Sequence, residues 1–292
     1  MEKTPENRTW RVLNLETRID DPETALQELA CRTAGVPPEA LQGMRIARKS
    51  LDARKRGGQR RLRFVHHVDL VLDAGFSSGA FQSAVRSGKV REAPETGSLA
   101  VEHLPHRSGM QVVVVGAGPG GLYAALVLAR AGVQVDLVDR GGSLENRGSD
   151  LVAFHRTRDP NPESNLLFGE GGAGTYSDGK LYTRVDHPLE VPCLQELVAC
   201  GAPQDILYDS RAHIGTDRLH RILPLFRSKL AEHGVRFHWN TRMVGLNVDP
   251  GTPSRVIGVG TSRGELPCDG VVLAPGHSAR DTWEALLEHG VE

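Results

Sequence analysis

The sequence predicts an α/β protein in which a small α+β domain precedes a larger domain built on a parallel sheet. The chain has 292 residues, the length of about two domains. Residues 112–115 form an apolar run without polar alternation, as buried strands of parallel sheets require. A glycine cluster, an apolar helix over 122–131 and a strand over 133–138 follow in the order of a βαβ unit. We therefore place the small domain at 1–95, a linker up to residue 109, and the larger domain at 110–292.

The small domain contains one clear helix signal. Asp20, Asp21 and Pro22 are typical of a helix start, with an aspartate cap and a proline in the first turn. The helix that follows, over 24–34, has helically spaced apolar residues and is expected to end at Gly35.

Strand-like runs surround this helix. They are found at 10–19, 44–51 and 61–72. A turn at 56–59 joins the last two runs, and a short helix is expected at 37–39. The order of strand, helix, strand and strand predicts a two-layer α+β domain of the ferredoxin-like kind. The Gly, Ser, Pro and charge content of 74–109 indicates a linker.

The charge balance disfavours a nucleic-acid-binding protein. The chain has 35 basic and 36 acidic residues and a net charge of −1. Residues 45–63 hold nine cations and one acid, Asp52, but no aromatic side chain interleaves with them as a stacking platform. We expect this stretch to be a solvated hairpin or a face toward the larger domain. A membrane-spanning segment is not expected either, because no apolar run has the required length.

The cysteines indicate a reducing compartment. Cys31, Cys193, Cys200 and Cys268 fit neither a zinc spacing nor a disulfide framework for a chain of this length. The polar N-terminus has no signal-peptide h-region. We expect a cytoplasmic protein with reduced thiols and without a bound metal.

The strongest motif is a glycine-rich loop between the first strand of the larger domain and the following helix. Gly116, Gly118 and Gly121 fit G-x-G-x-x-G. Gly116 allows the tight turn, Gly118 lets the backbone approach a pyrophosphate, and Gly121 allows close packing of the helix on the strand. The helix N-terminus would offer N–H groups and a positive dipole end to the anion.

An acidic residue completes this fingerprint. Asp139 follows the second strand, close to the spacing at which a carboxylate binds the ribose hydroxyls of a dinucleotide. The small residues Ala125 and Gly132 mark where helix and sheet would come close. A second glycine pattern at 258–264 is one residue too long and reads as a hairpin that turns at 262–264. The chain is therefore expected to have one Rossmann-like domain.

The glycine loop alone does not choose between FAD and NAD. The later pattern favours FAD, because an apparent antiparallel hairpin over 243–269 replaces regular βα units. An apolar strand that enters Leu273-Ala274-Pro275-Gly276 then follows.

Nearly the whole chain resembles a family of uncharacterised bacterial FAD-dependent dehydrogenases, which are NAD(P)/FAD-dependent oxidoreductases. The resemblance lies in the segments 50–54, 116–132, 165–181 and 273–281, and the Gly-Glu-Gly-Gly-Ala-Gly run over 169–174 is its most specific part. The resemblance implies a glutathione-reductase-like FAD fold, with a β-hairpin crossover in the parallel sheet. It also implies that the substrate domain and the closing segment of the FAD domain lie outside this chain, in a missing C-terminal half or a partner chain.

The resemblance also implies which residues bind the cofactor. The pyrophosphate would lie against the loop and the adenosine ribose at the end of the second strand, while the adenine would meet the backbone after the third strand. The flavin side would meet the fourth strand, and the isoalloxazine ring would meet the glycine run over 171–174. The implied residues are Gly116, Ala117, Gly118, Gly120, Gly121, Asp139, Arg140, Gly171, Gly172, Met243, Ala274 and Gly276.

Several polar residues have two open readings. Asp178 and Lys180 either anchor the flavin or pair with each other, since a cation near the flavin ring stabilises its reduced form. Glu170 is equally open. His277 follows the cofactor-side glycine and is either near flavin or a loop residue. The adjacent pair at 66–67 points to opposite faces of a strand and cannot chelate one ion.

We therefore expect an FAD-dependent oxidoreductase that transfers hydride between flavin and a small-molecule substrate or NAD(P)H. No side chain is assigned as catalytic. One alternative is a non-catalytic FAD-binding fragment or subunit, and a second is an NAD-dependent dehydrogenase with the same loop.

Overall fold

The structure is a computed structural model that describes residues 7–56, 59–60, 62–101, 109–181 and 187–291. It divides into two compact units. The first unit contains Met1–Gly97, Leu181–Leu194 and Pro203–Ala212. The second contains Ser98–Lys180, Gln195–Ala202 and His213–Glu292.

The first unit contains two later segments that the sequence-based limits gave to the larger domain. The reason is backbone pairing that the sequence pattern does not reveal. The Lys49 N–H donates to Tyr208 O at 2.8 Å, and the Ser210 N–H donates to Lys49 O at 3.0 Å.

The first unit has the βαββαβ order of a ferredoxin-like fold. Its elements are β1 (Asn7–Arg18), α1 (Glu23–Ala34), β2 (Leu41–Asp52), β3 (Lys55–Arg56), β4 (Gln59–Arg60), β5 (Arg63–Asp73), α2 (Gly79–Arg86) and β6 (Val90–Glu92). The sheet order is β2-β5-β1-β6 and all neighbours are antiparallel. The small pair β3–β4 stands apart, and Gly57 and Gly58 of its expected turn lie outside the described residues.

The expected linker is partly folded. Helix α2 begins at Ser78, whose hydroxyl accepts from the Phe81 N–H at 3.1 Å, and its buried side chains include Phe81 and Ala84. Strand β6 then pairs with the edge of β1. The helix was not predicted, because it is only eight residues long and lies in a stretch rich in Gly and Ser.

The start of α1 also differs from the expectation. Pro22 is the N-cap residue and no side chain caps the helix. Asp21 instead accepts from the Arg18 N–H at 2.7 Å, which tightens the preceding turn. The expected end is confirmed: Gly35 has the left-handed conformation, with φ of 66°.

The outer face of the first sheet carries a row of charges that crosses all four strands. Arg45, Asp69, Arg11 and Arg91 are direct cross-strand partners. Asp69 is fully buried beneath Arg11 and Arg45, which lie 2.6 and 3.0 Å from its oxygens. The apolar core lies on the opposite face, where side chains such as Val12 and Leu70 are fully buried.

The rest of the chain forms the βαβ architecture and an antiparallel insertion. Its elements are β7 (Gln111–Val115), α3 (Pro119–Arg130), β8 (Gln134–Val138), α4 (Leu144–Thr157), α5 (Glu190–Ala199), α6 (Thr216–Glu232), β9 (Arg236–His238), β10 (Met243–Asp249), β11 (Thr252–Thr261), β12 (Gly264–Pro267), β13 (Gly270–Leu273) and α7 (Arg280–Glu288). The parallel sheet has the order β13-β7-β8-β9, and β10-β11-β12 form a separate antiparallel sheet. Read from its other edge, the parallel sheet has the 3-2-1-4 order of a Rossmann half.

These elements confirm the α/β fold class, the parallel sheet and the hairpin crossover. The hairpin expected at 262–264 joins β11 to β12, so the second glycine pattern is a turn. Helix α4 was not predicted, because the stretch after β8 is polar and only weakly periodic. Its buried residues are Arg147 and Leu151, so the helix lacks the apolar stripe by which amphipathic helices are recognised.

Candidate functional site

The glycine loop joins β7 to α3, and at two of its glycines a side chain would overlap backbone atoms. Gly116 has φ of 103°, and a Cβ on it would lie 2.1 Å from Ala274 O. A Cβ on Gly121 would lie 1.8 Å from Gly116 O and 3.4 Å from the Val114 side chain. Helix α3 starts at Pro119, and its first backbone bond is Leu122 N–H to Gly118 O. The tight turn and the close approach of helix to strand are therefore both present.

Gly118 differs from its neighbours in the loop. Its backbone is extended, with φ of −72°, which any residue adopts. A Cβ there would approach only the Cα of Gly172, at 3.9 Å, which is ordinary contact. The packing of the protein itself does not require glycine at this position. A cradle that a Cβ would fill is what the diphosphate of a dinucleotide needs, so these residues fit such a group.

Asp139 follows β8 as expected and ties three loops together. Its carboxylate accepts from the backbone N–H groups of Ala117 at 2.7 Å, Gly141 at 2.8 Å and Gly169 at 2.8 Å. The side chain is buried. Burial raises the pKa of this carboxyl, while the three N–H donors and Arg147 oppose that rise. The carboxylate therefore organises the glycine loop from below.

The glycine run over 169–174 lies directly against the phosphate loop. The Gly171 N–H donates to Ala117 O at 2.9 Å. A Cβ on Gly172 would lie 3.1 Å from the Cα of Gly118. The structure thus brings the two glycine-rich segments of the sequence together, with Gly172 at the open position beside Gly118.

A buried arginine on α4 holds this run in place. Arg147 is fully buried, and its guanidinium donates to the carbonyl oxygens of four residues and to one hydroxyl. The acceptors are Asn165 O, Leu166 O, Glu170 O, Gly172 O and Thr175 Oγ1. Burial lowers the pKa of this guanidinium. Sequence analysis missed Arg147, because no periodicity marks an arginine that points inward.

Glu170 links the glycine run to two helices. Its Oε2 accepts from the Leu144 N–H at 2.8 Å and from Arg227 of α6 at 2.7 Å. Arg227 also pairs with Glu145 at 2.7 Å, which lowers the pKa of the Glu145 carboxyl to about 2. Burial raises the pKa of Glu170. Glu170 is thus a buried structural carboxylate, and the Glu145–Arg227 part of this network was not found from the sequence.

Arg140, expected beside the ribose, contacts protein groups. Its guanidinium donates to Asp281 at 2.7 Å and to Thr282 at 3.0 Å, and it lies 4.5 Å from the centre of the Phe168 ring. These contacts fix Arg140 between the start of α7 and the segment before the glycine run.

The remaining expected cofactor residues lie at the ends of strands. The Met243 side chain is buried in the core, and its backbone pairs with Thr261. The Ala274 N–H donates to Val115 O at 2.8 Å, so its backbone borders Gly116. Gly276 has φ of 82°, and its carbonyl accepts from the Trp283 indole at 3.2 Å.

A cavity of about 460 Å³ opens at the carboxyl end of β9. Its lining includes Phe237 and Trp239, whose rings are stacked with centres 5.4 Å apart, together with Asn146, Thr241 and Arg263. It is next to the Asp139 turn, because the Thr241 N–H donates to Asp139 O at 2.8 Å. The sequence analysis did not single out these aromatic residues, although a Phe and a Trp two residues apart at the end of a strand would have been a usable signal.

The residues with two open readings fall at different places. Asp178 and Lys180 pair with each other at 2.7 Å on the surface. His277 is exposed in the loop before α7. In the first unit, His66 is buried against the Thr17 hydroxyl at 3.0 Å, while His67 lies near Asn14 on the other face. Burial is the main cause that lowers the pKa of both imidazoles.

Within the described ranges, no helix combines the length and apolar character needed to cross a membrane. No group of three or more His, Cys, Asp or Glu side chains in those ranges is arranged to hold a metal ion.

Comparison with known families gives two matches. Residues 10–69 match a family described as a domain of unknown function. Residues 109–152, which contain the glycine loop and Asp139, match the FAD binding domain family. This match supports the resemblance to FAD-binding proteins for the part of the chain that contains the glycine loop.

One curated relative and several solved structures are similar to the chain. An uncharacterized protein of Clostridium beijerinckii is 33% identical over 282 residues, which is 96% of this chain and 51% of that protein. The chain thus spans about half the length of the curated relative it matches. Glycine oxidase from Bacillus cereus is 15% identical, with a TM-score of 0.33, over 61% of this chain and 58% of that one. L-proline dehydrogenase from P. horikoshii is 14% identical, with a TM-score of 0.34, over 63% and 57%.

Proposed function

We propose that this chain binds FAD through its second unit and acts as an FAD-dependent oxidoreductase. The observation that carries the proposal is Gly118. The fold has room for a side chain there, yet the residue is glycine, at the tip of a loop that opens a helix. A bound diphosphate gives a reason for this bare backbone, and the positive end of α3 favours the anion.

The order of the strands gives the direction of the cofactor. In open α/β sheets, ligands bind outside the carboxyl ends of the strands, where the strand order reverses. We assign the diphosphate to Gly116, Ala117, Gly118, Gly120 and Gly121, and the ribose to the turn at Asp139 and Arg140. The cavity beside Trp239 suits the adenine, since aromatic rings offer a stacking surface. Met243 contributes backbone on this side.

The flavin side then extends along the other edge of the sheet. Ala274 and Gly276 follow β13, the edge strand next to β7, and Gly171 and Gly172 border the loop from above. When bound, FAD supplies a two-electron acceptor for hydride. The chain itself binds and orients the cofactor, and because the loop is rich in glycine, no side chain occupies the space that the cofactor needs. The hydride partners, a small-molecule substrate and NAD(P)H, belong to this proposal, and we assign no catalytic side chain.

The antiparallel insertion favours FAD over an NAD-dependent dehydrogenase. The sheet β10-β11-β12 stands between the third and fourth parallel strands, where an NAD domain would continue with βα units. None of the four cysteines, all of which lie in the described ranges, is in a disulfide, which supports the proposal of a reducing, cytoplasmic location.

The deciding experiment is an absorption spectrum of the purified chain after incubation with FAD and removal of excess cofactor. We expect a stoichiometric flavin spectrum that bleaches when NADPH or a substrate donates hydride. Bound flavin that no donor reduces would leave the binding assignment standing and identify a non-catalytic subunit. Binding of NAD without retention of any flavin would contradict the proposal and support the dehydrogenase alternative.

A further inference from the structure

The segment 165–175 takes its shape from one buried cation. It contains a single short 3-10 turn, Gly172–Gly174, and otherwise irregular backbone. Irregular buried backbone needs partners for its polar groups. Here the guanidinium of Arg147 supplies them, because it donates to four of the segment's carbonyl oxygens and to the Thr175 hydroxyl.

Residues of the segment and the ring that follows it pack closely around both the stem and the guanidinium of Arg147. Gly169 has φ of 97°, and a Cβ on it would lie 2.4 Å from the Cδ of Arg147, so the arginine stem passes through the gap that this glycine leaves. The Tyr176 ring covers the guanidinium at 5.0 Å. The Thr175 hydroxyl, which accepts from Arg147, donates in turn to Glu170 O at 2.9 Å. The cation is therefore enclosed by the segment that it organises.

Arg147 also sets which way the peptides face. In a trans peptide the C=O and N–H groups point in opposite directions. The Glu170 carbonyl binds Arg147, and the N–H of the same peptide, on Gly171, donates to Ala117 O in the phosphate loop. The peptide between Gly172 and Ala173 has the same orientation, because the Gly172 carbonyl also accepts from Arg147. The N–H of Ala173, an exposed residue, therefore faces away from the cation.

We propose that Arg147 is a positioning residue for the cofactor site, which fixes the Glu170–Ala173 peptides beside Gly118 and presents the Ala173 N–H to the cofactor diphosphate. This proposal rests on the FAD function above. A lysine cannot replace the arginine, because an ammonium lacks the planar fork that reaches five acceptors on several peptides at once.

The test compares Arg147→Lys with Arg156→Lys, a matched exchange at an exposed position of the same helix. FAD affinity is measured by flavin fluorescence titration, at a temperature where circular dichroism shows each full-length variant folded. We expect Arg147→Lys to raise the FAD dissociation constant about tenfold or more, the scale of lost charge-assisted hydrogen bonds. Arg156→Lys should leave it unchanged. A folded Arg147→Lys variant with wild-type affinity would overturn the proposal.

Two further arms separate positioning from a general loss of stability. Hydrogen exchange on the cofactor-free chain should show faster exchange over 165–175 in Arg147→Lys, with the amides of β7 and β8 unaffected. If Arg147→Lys does not fold, Thr175→Val removes one acceptor of the guanidinium and should weaken FAD binding in the same direction. Unchanged affinity in Thr175→Val would then count against the proposal. If the wild-type chain binds neither FAD nor ADP, the proposed function fails, while the exchange data still report whether Arg147 holds the segment.

Discussion

Gly118 is a glycine that the packing of the fold does not require but that a bound ligand would. Gly116 and Gly121 are required by packing, since a Cβ on either would overlap backbone of the loop or of Ala274. Gly118 has a φ that any residue adopts and free space for a methyl group. Two kinds of glycine thus occur within one motif, and only the structure distinguishes them.

This distinction gives a prediction for Gly118→Ala. We expect its free energy of unfolding to equal that of the wild type within error, because nothing must move to admit the methyl group. FAD binding should weaken by about 1–3 kcal/mol, the usual cost of inserting a methylene into a closely packed site. Chemical denaturation and flavin titration measure the two quantities.

Two variants serve as controls for that experiment. Gly116→Ala should fail to fold stably, while Gly148→Ala, which meets nothing within 4 Å inside α4, should not affect flavin binding. If Gly118→Ala and the wild type bind flavin with equal affinity, the diphosphate does not lie against Gly118 and the assignment is wrong.

At the scale of elements, a buried carboxylate joins three parallel strands. Asp136 of β8 accepts from Gln111 of β7 at 2.8 Å, and from Arg236 and His238 of β9 at 2.6 and 2.7 Å. Burial alone would raise the pKa of Asp136, but these donors outweigh it and lower the pKa to about 2. The ordinary pKa of an aspartate, which applies in the unfolded chain, is 3.8.

The sign of the resulting pH dependence follows from this difference. Because the unfolded chain binds the proton more tightly, Asp136 stabilises the fold above about pH 4 and loses this contribution as the pH falls to about 2. The contribution is about 2 kcal/mol. We expect Asp136→Asn to abolish this part of the acid destabilisation in urea titrations at a series of pH values. The exposed exchange Asp159→Asn is the control, and identical pH slopes in Asp136→Asn and wild type would refute the assignment.

The same scale shows what sequence reasoning can find. The strand at 112–115, the helix after it and the hairpin at 262–264 were predictable, because apolar runs and glycine turns mark them directly. Helix α4 was not, since its central buried residue is an arginine. The phosphate loop was found from three glycines, but Arg147 and the Glu145–Arg227 pair were not. Their partners are distant in sequence or are backbone carbonyls, and such partners leave no local pattern.

At the scale of the whole molecule, the thiols report on how tightly the interior of each unit is packed. Cys31, Cys200 and Cys268 are buried, and burial raises the pKa of each thiol, whereas Cys193 is partly exposed. A thiolate is the reacting species, so burial and a raised pKa both slow its modification.

We therefore expect one fast-reacting thiol in the native chain and four after denaturation. Titration with a chromogenic disulfide reagent, with and without denaturant, measures both numbers. Cys193→Ser should remove the fast phase and leave three slow thiols. Fewer than four thiols in the denatured, unreduced wild type would reveal a disulfide and argue against a reducing compartment.

The three-way bond of Asp139 has a consequence for protein engineering. An acid at the end of the second strand is a natural target for anyone who wishes to change which nucleotide an enzyme prefers. Here that acid also anchors Ala117, Gly141 and Gly169. Its replacement would free these three backbone segments as well as change the selectivity. Redesign should therefore begin at Phe237 and Trp239, which line the cavity, and leave this carboxylate in place.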